Sequence, residues 1–286
     1  MYQSPVMKAV AMRQWTQNLQ HWWRGRKTDL NPNVAAILEK RSLGAVFQPM
    51  VDLRNGAVYG HEALMRVPRS LGEMTFDSLM DAAKEQHCQR QLEMGCMDQA
   101  IELWLADRPK GKLFCNISAQ TLVQLHESDA VDTLLQILRK HKMQPSRMGL
   151  DITGYTRIPH FESLLEAIKP LRAAGMAIAL DDFKASDSSM RAWTIVLPDL
   201  VKMAARWTRN IDTDEDNRKA VTSLVRLTHK HDCLLLVKSV ESEAELRAMR
   251  ELGVNLAQGY FLGSPAPDLV SSLNLRARAI LNPATT

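Results

Sequence analysis

The chain has 286 residues, 36 Lys and Arg against 32 Asp and Glu for a net charge of +4, 45% hydrophobic residues and four cysteines. That composition excludes disordered and collagen-like chains, and the length suits an α/β barrel of about 250 residues as well as one large or two small domains. No stretch approaches the roughly 18 apolar residues of a membrane span.

The first 28 residues carry Lys8, Arg13, Arg24, Arg26 and Lys27 with no acid, so the rest of the chain is close to neutral. The same segment holds three of the six tryptophans, and Met7, Ala11, Trp15, Leu19 and Trp22/Trp23 fall three or four apart, as on one face of a helix. A basic amphipathic helix over residues 1–33 is expected, ending at the break Asn31-Pro32-Asn33. Such a helix can lie on an anionic membrane surface, dock in a partner's groove, or pack against its own domain or a dimer mate. It lacks the apolar core and cleavage site of a signal peptide, so a cytoplasmic location is expected.

Residues 34–286 read as one barrel domain. Ala45 to Leu53 and Ala57 to Val67 are strand-like runs joined through Arg54-Asn55-Gly56, where Asn-Gly supplies the positive φ of a tight turn. Further strands are expected at Lys112 to Ser118, Met148 to Thr153, Met176 to Phe183, Leu200 to Ala204, Cys233 to Val240 and Leu256 to Leu262. Helical patterns lie between them, such as Ser128 to Lys142, His160 to Ala174, Glu215 to His231 and Ser242 to Leu252. Gly175 and Gly253 sit where helix C-caps belong. Eight strands, mostly parallel and ending in polar residues, predict an α/β fold closed into a TIM-like (β/α)8 barrel, whose site is built at the C-terminal strand ends. Cys88, Cys96, Cys115 and Cys233 show no CxxC spacing and no nearby paired His, so reduced and mostly buried thiols are expected.

Strand ends supply Glu62, Asn116, Asp151, Asp181-Asp182, Lys202, Lys238, Glu241 and Gln258. Converging carboxylates with an Asn are oxygen ligands suited to hard divalent ions, and adjacent acids can bridge two metals. No single pair is specific, because Asp-Asp occurs on many surfaces and an isolated Asn is commonly a turn former.

The ordered set is specific. Phe47-Gln48-Pro49, His61 to Arg66, Asn116-Ile117-Ser118, Leu150 to Thr153, Leu180 to Phe183, Val240-Glu241 and Gln258 to Phe261 with Pro265 resemble the EAL domain family, over about residues 36 to 275. Active members of that family hydrolyse cyclic di-GMP. The resemblance implies a barrel with one antiparallel strand, and two Mg²⁺ or Mn²⁺ ions in active relatives. It matches Glu62, Asn116, Asp151, Asp181 and Asp182 to metal ligands and Lys202 to a lysine near the attacking water. Gln48, Glu62, Leu64, Arg66, Asn116, Asp181, Glu241 and Gln258 match nucleotide-binding positions.

Several matched positions depart from the family pattern. Asp151 stands for a longer Glu, Gly154 for a second Glu, and Ala204 for an Asp. The loop Lys184 to Ser189 lacks two family glycines, which makes positive-φ positions there costly. Lys238 replaces a Glu that acts at the metals, and an ammonium can neither ligate a metal nor accept a proton at neutral pH. The matched set holds four carboxylates against two ammonium groups, where the family pattern has six against one. The expectation is that Lys238 sits among Asp181 and Asp182 where a metal would be; the bland alternative is that it snorkels to solvent beside a weakened metal site.

These departures imply a catalytically inactive or severely impaired regulator that needs no cofactor, binds Mg²⁺ or Mn²⁺ weakly if at all, and acts in trans on a protein partner through its barrel surface or N-terminal helix. These 286 residues show no cyclase, PAS or receiver pattern beside the barrel, so action in trans is expected. Cyclic di-GMP binding stays open, and so do homodimerisation and control of gene expression, including repression. Stand-alone degenerate members of the BvgR type repress virulence genes, but no motif separates them from others. The rival readings are a nucleotide-independent interaction module and a slow metal-dependent phosphodiesterase; against the latter stand four changes at interacting positions, where loss of a metal-site acid or base commonly costs about 10²-fold or more in rate. No helix-turn-helix spacing or aromatic-basic groove points to specific nucleic-acid binding.

Overall fold

The computed structural model describes residues 33–282 apart from 160, 185, 270–272 and 274. The amphipathic helix expected over the N-terminal segment therefore lies outside the described residues, save for Asn33. Asn33 does not simply break the chain: its side chain accepts from the Ala36 amide and caps helix α1 (Val34–Glu39).

The described residues fall into two compact units, one made of 33–44 with 65–92 and the other of 45–64 with 93–282. In the first, α1 and helix α2 (Phe76–Glu85) bury Val34, Ile37, Leu79, Ala82 and Ala83. Thr75 caps α2 through the Ser78 amide, and the Val34 amide donates to the Gln86 side-chain carbonyl at 3.4 Å.

Eight strands close into a barrel in sequence order: β1 (Gly44–Asp52), β2 (Val58–Arg66), β3 (Lys112–Ser118), β4 (Met148–Thr153), β5 (Ala177–Phe183), β6 (Leu200–Met203), β7 (Leu234–Val237) and β8 (Leu256–Ala257). Strands β2 to β8 run parallel, and β1 runs antiparallel to β8 with Val51 opposite Ala257. The one reversed strand follows from the hairpin: Gly56 takes φ 68°, its amide donates to the Asp52 carbonyl, and Asn55 accepts from the Ala57 amide.

Helices α3 (Gln89–Ala106), α4 (Ala119–Glu127), α5 (Asp132–Lys140), α6 (Phe161–Ala173), α7 (Asp187–Val196), α8 (Glu215–Lys230), α9 (Glu243–Glu251) and α10 (Leu275–Leu281) complete the βα units. Helix α3, which periodicity did not single out, buries Glu93 and Asp98 together with Leu92, Met97, Ile101 and Trp104, so no clean polar face betrays it. No described helix is long and apolar enough to cross a membrane.

Two expected strands are shorter than the apolar runs suggest. The chain leaves the ladder after Val237 because Ser239 takes φ 61°, and β8 stops at Ala257 where Leu262 and Gly263 amides fold back to the Gly259 carbonyl. Gly259 is obligatory there, since a Cβ would lie 2.2 Å from the Val240 nitrogen and oxygen.

The barrel interior is layered along its axis. Met50, Phe114, Ala177, Ala179, Leu200, Leu236 and Leu256 form a packed apolar plug, with Tyr59 and Leu234 against it. Gly149 makes room for the Phe114 ring, which would lie 2.3 Å from a Cβ at that position. Because strand side chains alternate with period two, the residues two positions past these plug residues also face inward, at the C-terminal ends of β2 to β8.

Candidate functional site

That inward layer is polar. Two steps past Gly60, Phe114, Gly149, Ala179, Leu200, Leu236 and Leu256 stand Glu62, Asn116, Asp151, Asp181, Lys202, Lys238 and Gln258. Strand β1 runs the other way, so its contribution comes two positions before Met50, from Gln48. The switch from apolar to charged side chains at one level of the barrel concentrates ionisable groups at a single end.

At the floor of the site Lys202, with no exposed surface, joins two strands it does not neighbour. Its ammonium donates to Glu62 Oε2 at 2.7 Å and to Asp151 Oδ2. Glu62 is further held by Asn116 Nδ2 on Oε1 at 3.1 Å and by Gln258 Nε2 on Oε2 at 2.9 Å. The same Gln258 amide reaches Gln48 Oε1 at 2.9 Å, and Gln48 Nε2 donates to the Gly263 carbonyl at 3.2 Å.

The two buried carboxylates respond in opposite senses. Burial opposes ionisation of Glu62, but the Lys202 charge and hydrogen bonds from Lys202, Asn116 and Gln258 outweigh it and hold the group at about 2. Asp151 has Lys202 on Oδ2 and no partner on its buried Oδ1. Burial, with the nearby Glu62 and Asp181 charges, pushes it well above the usual carboxylate range in spite of Lys202. Lys202 itself is lowered by burial and raised by Asp151 and Glu62, with a net upward shift, so it stays protonated. Gln258 Oε1 is a second buried acceptor without a partner at this level.

Above this floor, Lys238 Nζ donates to Asp181 Oδ1 at 2.7 Å, with side-chain exposures of 24% and 15%. The expected placement of Lys238 between both acids holds for Asp181 alone. Asp182 is exposed, takes φ 52° beside an irregularity in the β5–β6 register, and pairs with Lys184 at 2.8 Å. A bulged backbone sends the two adjacent acids to different partners. The loop that follows has no glycine, and Ser186 in it caps α7 through the Ser189 amide.

Leu64 is half-buried on β2, and Arg66 at the end of that strand donates from Nη1 to the Met65 carbonyl at 3.0 Å. Glu241 is exposed; its amide donates at 2.8 Å to Glu245 Oε2, the same oxygen that accepts from the Ser242 amide in the capping box of α9. Gly154 takes φ 64° with open space around it, and Ala204 is buried with its amide on the Phe183 carbonyl. Among the described residues, no three His, Cys, Asp or Glu side chains form a group that could hold a metal ion.

Two supporting acids had not been singled out from sequence. Glu93 on α3 accepts from the Ser118 amide at 3.0 Å and hydroxyl at 3.1 Å, fixing the exit of β3, and Glu245 fixes the backbone of Glu241. The Ser-x-x-Glu pattern at Ser242 is the signal that identifies Glu245. Glu93 carries no local signal, since its partner lies 25 residues away.

The family model described as the EAL domain matches residues 33–265. A bifunctional diguanylate cyclase/cyclic di-GMP phosphodiesterase, MucR of Pseudomonas aeruginosa, is 28% identical over 235 residues, covering 80% of this chain and 34% of that protein. The chain spans about a third of the length of the curated relatives it matches. Among solved structures, the FimX EAL domain of Xanthomonas citri in complex with c-diGMP superposes with a TM-score of 0.73 at 16% identity, covering 93% of this chain and 99% of that one. The PaMucR phosphodiesterase in complex with c-di-GMP gives 0.71 at 26% identity, covering 82% and 96%.

Proposed function

Because this chain belongs to the EAL domain family and is homologous to cyclic di-GMP phosphodiesterases, we propose that it is a cyclic di-GMP-signalling barrel whose hydrolytic step is lost or severely impaired, and that it regulates a protein partner in trans in the cytoplasm. The observation that carries this reading is the Lys238–Asp181 ion pair at 2.7 Å. An ammonium sits on the acid that would anchor a cation, and Lys202 already spans Glu62 and Asp151. Three inward carboxylates facing two ammonium groups do not suit a pair of divalent ions, because each cation must displace a lysine that repels it.

What these residues retain is recognition. Gln48, Asn116 and Gln258 offer amide groups beside Glu62, and the lysines offset the negative charge that would otherwise repel two phosphodiester groups. The relatives named above bind or hydrolyse cyclic di-GMP, which makes that dinucleotide the ligand to test.

The test is titration of the purified chain with cyclic di-GMP in Mg²⁺ and in chelator, with product analysis on the same samples. Binding without linear product is expected. Linearisation at the turnover of an active phosphodiesterase overturns the loss of hydrolysis, and absence of binding in both conditions, beside a stable protein complex, makes the chain a nucleotide-independent interaction module.

A further inference from the structure

The two lysines of the site differ in what they can still touch. Lys202 is fully enclosed, with donors engaged on Glu62 and Asp151, and serves as an internal counter-ion of the barrel floor. Lys238 is 24% exposed and is held from one side by Asp181 Oδ1. An ammonium carries three N–H donors, so this bond leaves others to face the solvent side of the site.

The position of Lys238 is also firmly set. It is the first residue past β7, two steps beyond the plug residue Leu236, and therefore inward-facing. Behind it Ser239 takes φ 61°, and Val240 is clamped between the Gln258 carbonyl and the Phe261 amide against Gly259. Backbone held on both sides fixes where the Lys238 side chain starts, and the bond to Asp181 Oδ1 at 2.7 Å then holds its ammonium.

We infer that Lys238 is a built-in replacement for a divalent cation: tethered by Asp181, it offers a fixed positive charge to a phosphodiester oxygen of the ligand and makes binding independent of metal. This rests on the EAL reading of the site. It adds that the carboxylate Asp181, which would hold a cation in common with the incoming phosphate, instead holds an amine supplied by the chain itself. A lysine differs from an ion in being always present, in carrying one charge instead of two, and in being unable to activate water. Binding would persist in chelator and hydrolysis would not be gained by adding metal.

The experiment uses the full chain, cyclic di-GMP and Mn²⁺. Wild-type protein is expected to bind the dinucleotide equally in Mg²⁺ and in chelator, and to leave the Mn²⁺ paramagnetic resonance signal of the free ion unchanged in the absence of nucleotide. Lys238→Met, and Lys238→Gln as a second variant of similar length, are expected to weaken binding in chelator by about tenfold or more. Lys238→Glu is expected to quench the free Mn²⁺ signal by creating a carboxylate beside Asp181. Thermal melting of each variant checks that the fold is kept.

Nucleotide binding that requires metal and yields no product, equal binding by wild type and both neutral variants, or Mn²⁺ uptake by the wild type overturns the inference while leaving the impaired-regulator reading intact. Rapid linearisation in Mg²⁺ overturns both. Absence of nucleotide binding under every condition removes the ligand from the proposed function and the inference with it.

Discussion

Asp181 and Asp182 are neighbours in the chain and have different partners: Asp181 receives Lys238 at 2.7 Å within the barrel mouth, and Asp182 turns outward to Lys184 at 2.8 Å. The division depends on backbone shape, since Asp182 takes φ 52° at a register irregularity of β5. The site therefore combines a buried Lys202 bridge between Glu62 and Asp151 with two separate pairs, Lys238–Asp181 and Lys184–Asp182.

Lys202 neutralises two buried acids. Lys202→Met would leave Glu62 and Asp151 without it in a site of almost no exposure. The expected loss is about 3–5 kcal/mol, read from the urea midpoint. Adding Glu62→Gln to Lys202→Met should recover part of it, because Glu62 is the acid that the lysine holds ionised. A double variant no more stable than the single one would show that the Glu62 charge is not what the lysine balances.

Acid sensitivity follows from Glu62. Its ordinary value is 4.5 and its folded value about 2. A carboxylate depressed on folding contributes stability that is fully present above about pH 4.5 and lost as pH falls through about 2, amounting to about 3 kcal/mol. Asp151 is shifted the other way, so its ionisation in the folded chain costs stability as pH rises above its ordinary value of 3.8. Urea melts between pH 2 and 4.5 should therefore show a steep decline in wild type and a shallower one in Glu62→Gln. Parallel declines would remove Glu62 as the source.

Two glycines of one strand–loop unit should tolerate alanine differently. Gly149→Ala places a Cβ 2.3 Å from the Phe114 ring and is expected to cost about 2 kcal/mol or more, rescued in part by Phe114→Leu. Gly154→Ala meets open space and only the left-handed backbone at φ 64°, so about 1 kcal/mol is expected, less for Gly154→Asn. Chemical denaturation of the four variants measures the order, and a larger loss at Gly154 would contradict the packing account.

The thiols should react unequally. Burial pushes Cys96 and Cys233 up to about 12, raises Cys115 further, and leaves Cys88 half-buried. Since the thiolate is the reactive form, one thiol per folded chain should react rapidly with an aromatic disulfide reagent and the other three only on unfolding. Two or more fast thiols in the native protein would contradict this burial pattern.

Much of this architecture is legible in the amino-acid order. Period-two alternation over β2 to β6 places Glu62, Asn116, Asp151, Asp181 and Lys202 on one interior face, and the Asn-Gly turn announces the reversed strand. Apolar runs overstate β7 and β8, because hydrophobicity persists through Val240 and Leu262 after the ladder has ended at Val237 and Ala257. The Asp182–Lys184 pair is invisible in sequence, since it depends on a positive φ that no glycine signals. Glu93 is hidden for a different reason: it serves Ser118 across a helix–strand gap that no local pattern spans.

The Lys202 bridge also spans long stretches of the chain. Glu62 and Asp151 precede their shared ammonium by 140 and 51 residues, so both acids leave the ribosome well before the lysine that neutralises them. Until β6 emerges, a nascent half-barrel carrying β2 and β4 cannot dry its upper layer around those charges without protonating them. The bridge is therefore a pair of contacts of long sequence separation, which can form only once β6 is in place beside the earlier strands.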